Sequence, residues 1–276
     1  MNKPIVAFLY DFDKTLCTRD MQEYTFIPSI GMEPNDFWAL ANGLAREQHM
    51  DGVLAYMYCM LTRTTLRRNN LVDCGKAVEY HPGVEEWFER VNAYGEEAGV
   101  KVEHYVLSSG LKEIIEGTSI ADRFTKVFAS EFLYDDNGVA VWPKLAVNYT
   151  NKTQFVYRIN KGVLDISNDR DLNRSAPDTG RRVKFSNMIY IGDGLTDVPC
   201  MKLVRAQGGH AVAVHQGATA LASDLIKHSR VDFFFEADYR KDSPLDQAIH
   251  TLLSKLALDN RVAELTHAQL EEAEQE

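Results

Sequence analysis

The sequence predicts an α/β fold, in which a doubly wound parallel sheet carries a small helical domain inserted after its first strand. Short apolar runs alternate with helical patterns along the chain, which is typical of a parallel sheet covered by helices on both faces. Residues 11–102 separate the first two runs, many more than one crossover helix needs, so an insertion is expected there. Polar residues directly follow several runs, and ligands of such sheets bind outside the carboxyl ends of the strands.

Six short apolar runs account for the predicted strands, and they cover residues 5–10, 103–107, 126–129, 188–191, 211–214 and 231–235. Asn137 and Gly138 stand between apolar flanks, and this dipeptide predicts the turn of a hairpin. The polar run over 165–182 predicts a mobile loop, whose role the sequence does not indicate. Together the runs predict a Rossmann-like core.

The insertion covers residues 17–81 and is predicted to be helical. Asp36 and Asp51 stand at the start of helical patterns, where they are expected to act as N-caps. Pro82 and Gly83 introduce the helix that follows the insertion. The sequence therefore predicts a helical cap domain over residues 17–81 and a core domain built from residues 1–16 and 82–276.

Composition restricts the class of partner. The 276 residues carry a formal net charge of −10, which argues against a surface for nucleic acid or an anionic membrane and favours a small soluble ligand. The N-terminal apolar run is too short to span a bilayer, and the four cysteines form no CxxC pair that would indicate a zinc site. These features predict a protein of the reducing cytoplasm and leave its oligomeric state open.

Four polar clusters follow predicted strands or begin a helical pattern, and each also has a purely structural interpretation. They are Asp11 with Asp13, Ser108 with Ser109, Lys152, and Asp193 with Asp197. A serine commonly caps a helix, a lysine is commonly solvated, and a GDG sequence commonly forms a turn. A calcium-binding loop that begins at Asp11 is excluded, because its glycine and glutamate positions hold Leu16 and Gln22.

Taken in order, the four clusters resemble the motifs of the haloacid dehalogenase (HAD) superfamily, in the phosphatase branch that inserts a helical cap after the first motif. The sequence DFDKT at 11–15 resembles the first motif, Ser108 the second, Lys152 the third, and GDGLTD at 192–197 the fourth. The position of the cap is most similar to that in phosphoserine phosphatase and its relatives. The resemblance implies a phosphatase with Mg²⁺ as its cofactor and a small phosphomonoester as its substrate.

The resemblance also implies roles for three aspartates, and elementary chemistry is consistent with them. A carboxylate can attack a phosphate dianion only where both charges are neutralised, and Mg²⁺ prefers hard oxygen ligands. Asp11 is then the nucleophile and, with Asp193, a metal ligand. Asp13 contributes its backbone carbonyl to the metal and its carboxyl group as general acid and base.

The remaining motif residues are expected to hold the phosphoryl group. Ser108, Ser109 and Lys152 bind its oxygens, and Asp197 orients Lys152 or a metal-bound water. Because Asp13 is present, phosphoester hydrolysis is favoured over the dehalogenation found elsewhere in the superfamily. A phosphotransferase or phosphomutase stays an alternative, since the sequence does not show which group receives the phosphoryl group. A non-catalytic scaffold that binds phosphoesters is less favoured, because every motif keeps its key polar residue.

Substrate selectivity is expected in the cap, where the sequence offers several charged candidates. Arg63 or Arg67 could bind a substrate carboxylate through two hydrogen bonds, and Asp20 or Glu23 could meet a substrate amine. Phosphoserine phosphatases use an acidic and a basic residue in this manner, so phosphoserine is one candidate among small phosphomonoesters. The aromatic residues of the cap are expected in its core.

Overall fold

A computed structural model describes residues 3–174, 180–217 and 219–274 of the chain. Within them, seven strands form one sheet: β1 (Ile5–Tyr10), β2 (Lys101–Leu111), β3 (Lys126–Tyr134), β4 (Ala140–Leu145), β5 (Met188–Gly192), β6 (His210–His215) and β7 (Phe233–Glu236). The strand order is β4-β3-β2-β1-β5-β6-β7. Every neighbouring pair is parallel except the antiparallel pair of β3 and β4.

Eleven α-helices of the described residues surround or extend this sheet: α1 (Phe26–Ser29), α2 (Pro34–Gln48), α3 (Gly52–Arg63), α4 (Arg68–Cys74), α5 (Val84–Ala98), α6 (Lys112–Glu116), α7 (Lys152–Lys161), α8 (Asp169–Asn173), α9 (Val198–Ala206), α10 (Ala220–Lys227) and α11 (Pro244–Glu274). One hydrophobic cluster joins the sheet to α5, α11 and the helices of the insertion. A second cluster joins the opposite face to α7, α9 and α10. The predicted doubly wound α/β fold is confirmed.

Strand β1 shows why a central strand of such a sheet has a continuous apolar sequence. Val6, Phe8 and Tyr10 belong to the first cluster, whereas Ala7 and Leu9 belong to the second. All five residues are fully buried. Since both faces of the strand are covered, the alternation of apolar and polar residues that marks a half-exposed strand is absent.

The insertion contributes helices α1 to α4 and no strand to the sheet. Its two ends meet at an isolated antiparallel bridge between Cys17 and Tyr80, and a second bridge joins Arg67 to Val139 beside the hairpin. Asp51 is the N-cap of α3, because its carboxylate accepts hydrogen bonds from the backbone N–H groups of Val53 and Leu54. The expectation for Asp36 was wrong: Pro34 at the first position starts α2 earlier, so Glu33 is the N-cap.

Two predicted connections have a definite structure. The hairpin expected around Asn137 and Gly138 is confirmed, since β3 and β4 pair antiparallel on either side of that turn. From the sequence, the polar residues Ser108 and Ser109 predict that β2 ends at residue 107. In the structure the strand continues to Leu111, which pairs with Ser130 after a shift in register. The second motif therefore lies in the irregular last part of the strand.

The segment 165–182, predicted as a mobile loop, contains α8 and is attached to the core by two arginines. Arg158 of α7 donates hydrogen bonds to the carbonyl oxygens of Asp165 (2.8 Å) and Ile166 (3.0 Å). Arg182 donates two hydrogen bonds of 2.7 Å to the carboxylate of Glu103 on β2. Residues 175–179 of this segment lie outside the described residues. No helix in the described part of the chain is long and apolar enough to cross a bilayer.

Candidate active site

A buried lysine connects two of the sequence motifs at the carboxyl edge of the sheet. Asp11 directly follows β1, and Lys152 is the first residue of α7. The ammonium group of Lys152 donates hydrogen bonds of 2.9 Å to Asp11 Oδ1 and to Asp197 Oδ1. Only 1% of the lysine is exposed, so the interpretation of this residue as a solvated surface lysine is excluded.

Asp197 is fixed in place from several sides. Its Oδ1 also accepts a hydrogen bond of 2.7 Å from the hydroxyl of Tyr190 on β5, and the backbone N–H of Gly194 donates to Oδ2 at 3.3 Å. A Cβ atom at Gly192 would lie 2.4 Å from Asp197 Oδ2, so only glycine permits this close approach. The sequence had not indicated Tyr190, which looks like one more apolar residue of a buried strand.

Three carboxylates at this edge could hold a metal ion. Oxygen atoms of Asp11, Asp193 and Asp197 lie within 4.8 Å of one another. Lys152 forms ion pairs with Asp11 and Asp197. Its single positive charge does not neutralise the three carboxylates. Carboxylate oxygens in this number suit Mg²⁺, which needs few protein ligands because it keeps several waters. The donor set therefore fits the ion implied by the sequence motifs.

The pKa values of these groups record the same imbalance of charge. Burial, followed by the charge of Asp197, raises the pKa of Asp11 to about 6 although Lys152 opposes the shift. Burial and then the charges of Asp11 and Asp197 raise the pKa of Asp193 to about 8. Burial would lower the pKa of Lys152, but its two carboxylate partners outweigh that effect and raise it. The lysine therefore stays charged while the carboxylates lack sufficient compensation.

The carboxyl group of Asp13 makes its hydrogen bonds with the start of the insertion. Its Oδ1 accepts a hydrogen bond of 2.8 Å from the backbone N–H of Met21 and a weaker one of 3.7 Å from the Cys17 thiol. Burial, and then the charges of Asp20 and Asp11, raise the pKa of Asp13 well above its usual range. Both effects favour the protonated form of the carboxyl group, which is the form that a general acid needs.

The two serines of the second motif lie near the end of β2. Ser108 is fully buried, and its hydroxyl oxygen accepts a hydrogen bond of 3.0 Å from the backbone N–H of Gly110. The carbonyl oxygen of Ser109 accepts a hydrogen bond of 2.7 Å from the hydroxyl of Tyr56 on α3. A Cβ atom at Gly110 would lie 2.8 Å from Asp13 Oδ2, which explains why a glycine stands here beside the first motif.

A cavity of about 270 Å³ opens from Asp13 towards the insertion. Asp13, Ser109 and Gly110 line it from the sheet, and Asp20, Trp38 and Tyr56 are among the residues that line it from the insertion. The carboxylate of Asp20 accepts a hydrogen bond of 2.6 Å from Lys14. Of the four residues considered for substrate selectivity, Asp20 is the one that reaches this cavity.

The other three candidates lie elsewhere in the described structure. The carboxylate of Glu23 accepts a hydrogen bond of 2.8 Å from the indole N–H of Trp38, so its charge is directed at the ring. Arg67 donates a hydrogen bond of 3.0 Å to the carbonyl oxygen of Asn137 in the hairpin turn. Arg63 is exposed in the last turn of α3. Sequence reasoning had no means of placing these side chains, since helix packing determines which face meets the cavity.

Comparison with known proteins agrees with the architecture of this site. The model of the haloacid dehalogenase-like hydrolase family matches residues 8–202, which include all four motifs. An uncharacterised protein of Borreliella burgdorferi is 27% identical over 273 residues, covering 87% of this chain and 94% of that protein.

Solved structures of the same architecture are similar in fold at low sequence identity. A substrate-bound phosphoserine phosphatase matches with a TM-score of 0.57 at 14% identity, covering 87% of this chain and 97% of that one. A probable phosphoserine phosphatase from Vibrio cholerae matches with a TM-score of 0.60 at 12% identity, over 94% and 67%. A HAD family hydrolase from Salmonella enterica matches with a TM-score of 0.58 at 14% identity, over 86% and 69%.

Proposed function

The chain belongs to the haloacid dehalogenase-like hydrolase family, and on that premise we propose that it is a magnesium-dependent phosphatase acting on a small phosphomonoester through an aspartyl-phosphate. The observation that carries the proposal is the pair of contacts made by Lys152, which hold Asp11 Oδ1 beside Asp197 in a buried site. A nucleophilic carboxylate must be held in a fixed direction and next to positive charge to attack a phosphate. Asp11 meets both conditions.

The first step forms a covalent intermediate on the enzyme. A carboxylate oxygen of Asp11 attacks phosphorus, the bond between phosphorus and the ester oxygen breaks, and the carboxyl group of Asp13 gives its proton to the leaving alkoxide. Lys152, with Ser108 and Ser109, binds the phosphoryl oxygens as their charge shifts. Asp11, Asp193 and the backbone carbonyl of Asp13 would hold Mg²⁺, and the ion would supply positive charge to offset the charges of the nucleophile and the phosphate.

The second step restores the free carboxylate. Asp13, now ionised, takes a proton from a water molecule, whose oxygen attacks phosphorus and releases inorganic phosphate from Asp11. The raised pKa of Asp13 supports the first half of this cycle, because it favours the protonated group that gives its proton to the leaving alkoxide. Asp197 acts as a positioning residue through its bonds to Lys152 and Tyr190.

The proposal includes a division of labour between the insertion and the core. We assign residues 17–81 to a cap and residues 1–16 and 82–276 to the catalytic core. Two contacts support a cap above the site: Tyr56 bonds the carbonyl of Ser109, and the side-chain amide of Asn148 donates to Asp51 at 2.7 Å. The same proposal includes a small soluble phosphomonoester as the substrate and a reducing cytoplasm as the location. The location is in keeping with the four cysteines, which form no disulfide among the described residues.

The test is a screen of the purified protein against phosphomonoesters, including phosphoserine, sugar phosphates and pyridoxal phosphate, with Mg²⁺ and with a chelator. Phosphate release is expected with Mg²⁺, and it should vanish in chelator and return when the ion is restored. After acid quench, mass spectrometry should locate the phosphoryl group on Asp11. Asp122, an exposed aspartate, provides the control, since Asp122→Asn should leave both results unchanged. Full activity after complete removal of metal, or a label on another residue, would refute the mechanism.

A further inference from the structure

The last helix, α11, changes its relation to the rest of the protein at Asn260. Up to that residue one side of the helix packs on the core, since Ile249, Leu253, Leu256 and Asn260 recur at the spacing of one helix face and all four are buried. Beyond it, every residue from 261 to 273 is exposed. These last turns therefore have little tertiary packing to stabilise them, and an isolated helix of this length is only marginally stable in water.

The exposed turns carry an apolar stripe, formed by Leu258, Val262 and Leu265. These three side chains are 66%, 62% and 60% exposed, and their spacing along the chain places them on one face of the helix. The stripe repeats the spacing of the buried face that begins at Ile249, but it is displaced by about two and a half helical turns. It therefore points in the opposite direction, away from the core and into solvent.

The same outer side of α11 is polar over the turns that pack on the core. Gln247, Thr251 and Ser254 precede the apolar stripe at the same helical spacing. On the side opposite to the stripe, Glu264 and His267 border a cavity of about 300 Å³. A surface helix normally turns its apolar side to the body of its own chain and its polar side to water. The last turns of α11 reverse this arrangement, so their apolar side is suited to a partner outside the chain.

We propose that this partner is a second copy of the chain, and that the apolar stripes of two α11 helices pack against each other in an antiparallel pair. Such a dimer is independent of the proposed phosphatase function. A two-fold axis that passes between residues 263 and 264 makes the surface complementary to itself. Val262 then packs on Leu265 of the second copy, and Leu258 packs beside its Gln269, as core positions do in a coiled coil.

Charges around the apolar stripe favour the antiparallel arrangement over a parallel one. In the same register, Lys255 lies beside Glu272 of the second copy at each end of the contact, so opposite charges meet there. A parallel pair would place Glu271 and Glu272 of one copy beside the same residues of the other, where like charges repel. Within the chain Lys255 already pairs with the exposed Asp259, so its added attraction is small. The apolar layers supply the affinity, and the charges determine the direction.

The size of the contact determines the concentrations at which the dimer should be observed. Residues 255–272 span about 27 Å of helix, and one helix pair of that length buries less than the ~1,200 Å² at the low end of standard interfaces. We therefore expect a dissociation constant on the order of 10 µM. Sedimentation equilibrium from about 1 to about 200 µM should show the mass rise from that of one chain towards that of two.

Two leucines of α11 with the same exposure test whether the apolar stripe makes the contact. Leu265 lies in the stripe and is 60% exposed, whereas Leu270 is 59% exposed and lies about a third of a turn away from the stripe. Leu265→Glu should weaken the dimer by roughly 100-fold or more, because each copy then brings a charge into the apolar contact. Leu270→Glu changes the net charge equally and should alter the association constant by no more than about twofold.

Three outcomes of these measurements would overturn the proposal. The first is a wild-type protein that stays monomeric up to about 200 µM, and the second is a dimer that Leu265→Glu does not weaken. The third is an equal loss of association in both leucine variants. Because both leucines are exposed in the single chain, the thermal unfolding midpoints of the two variants should agree at low concentration, where no dimer forms. A lower midpoint for Leu265→Glu alone would assign that leucine to the fold of the single chain and refute its role in the contact.

An exchange of charges tests the antiparallel register. Lys255→Glu and Glu272→Lys should each weaken the dimer by about 5-fold, because each change brings like charges together at both ends of the contact. The variant with both substitutions restores opposite charges, so its association constant should return to within about twofold of wild type. If the double variant instead associates more weakly than either single variant, these two residues do not face each other and the proposed register is wrong.

Discussion

Both ends of the central strands hold buried carboxylates, but the two groups are compensated differently. At the amino end, Glu103 on β2 accepts two hydrogen bonds from Arg182, one from Lys101 and one from the Tyr105 hydroxyl, all between 2.7 and 2.9 Å. Burial alone would raise the pKa of Glu103, yet these partners lower it to about 2. At the carboxyl end, burial and then the charges of neighbouring aspartates raise the pKa values of Asp11 and Asp193, and Lys152 offsets only part of that effect.

The difference shows that burial alone does not determine the pKa or the role of a carboxylate in this protein. A buried carboxylate surrounded by donors contributes stability, since its ionised form is the favoured one in the folded state. A buried carboxylate without enough partners costs stability until a ligand supplies the missing charge or proton. The first arrangement is structural, and the second is suited to binding a cation and transferring a phosphoryl group.

The largest effect is expected from removing the proposed nucleophile. Asp11→Asn keeps the shape of the side chain but cannot form an aspartyl-phosphate, so kcat should fall on the order of 10⁴-fold or more. Acid-quench mass spectrometry during turnover should detect no phosphoryl-enzyme. Glu103→Gln, which changes a buried carboxylate at the other end of the sheet, should still be phosphorylated. Comparable loss of labelling in both variants would show that the two ends do not differ in function.

The next effect concerns the proton of Asp13. Asp13→Asn retains the backbone carbonyl but transfers no proton, so turnover of an alkyl phosphate should fall by ~10²- to 10⁴-fold. An activated aryl phosphate needs little protonation of its leaving group. With that substrate the variant should still be phosphorylated and should accumulate the aspartyl-phosphate, which acid quench and mass spectrometry would detect. Full turnover of alkyl esters by this variant would assign the proton transfer to another group.

Part of the candidate active site could be predicted from the sequence, because the strand ends determine where its residues lie. Asp11 and Asp193 directly follow β1 and β5, so the apolar runs place both carboxylates at the carboxyl edge of the sheet, and the pairing of β1 with β5 in the structure puts them side by side. Lys152 was found through its motif, since a single lysine before a helix carries no local signal of burial. The contact between Arg182 and Glu103 at the amino end was not predicted, because Arg182 is the last residue of the polar segment 165–182 and its position depends on how that segment packs.

The lining of the cavity was less predictable, because it too depends on how segments of the chain pack. Asp20 lies close in sequence to the first motif, yet its direction follows from the turn Met21–Glu23 and its contacts with the sheet. Arg67 was a reasonable candidate for a substrate carboxylate until the structure showed it bonded to the hairpin turn. Charge type is visible in a sequence, but the helix face that carries the charge is set by tertiary packing.

A moderate effect on stability is expected when the amino-end carboxylate is neutralised. Glu103→Gln should lower the free energy of unfolding at pH 7 by about 2 kcal/mol, because it removes charge-assisted hydrogen bonds at a buried position. The pKa of Glu103 is lowered in the folded state, so its contribution is complete above about pH 4.5 and is lost as the pH falls towards 2. Urea denaturation should therefore show a difference from wild type that shrinks between pH 5 and pH 3.

Glu97, which is exposed on α5, provides the control for that experiment. Glu97→Gln should change the unfolding free energy by only a few tenths of a kcal/mol at any of these pH values. A difference between Glu103→Gln and wild type that stays constant from pH 7 to pH 3 would show that the lost carboxylate charge is not the cause.

The smallest effect has the opposite sign and is the sharpest test of the comparison. Asp193→Asn removes one of three carboxylates whose oxygens lie within 4.8 Å of one another, so it relieves repulsion in the metal-free protein. In chelator, the variant should unfold about 2 °C above wild type, an increase on the order of 1 kcal/mol after allowance for partial exposure. Added Mg²⁺ should stabilise wild type by mass action and stabilise the variant much less, because a ligand is missing. The thermal unfolding midpoint, measured with chelator and over a range of Mg²⁺ concentrations, checks both statements, with Asp122→Asn as the control. If Asp193→Asn instead destabilises the metal-free protein as Glu103→Gln does, the carboxylates at the two ends of the sheet are balanced alike, and their difference in function must have another cause.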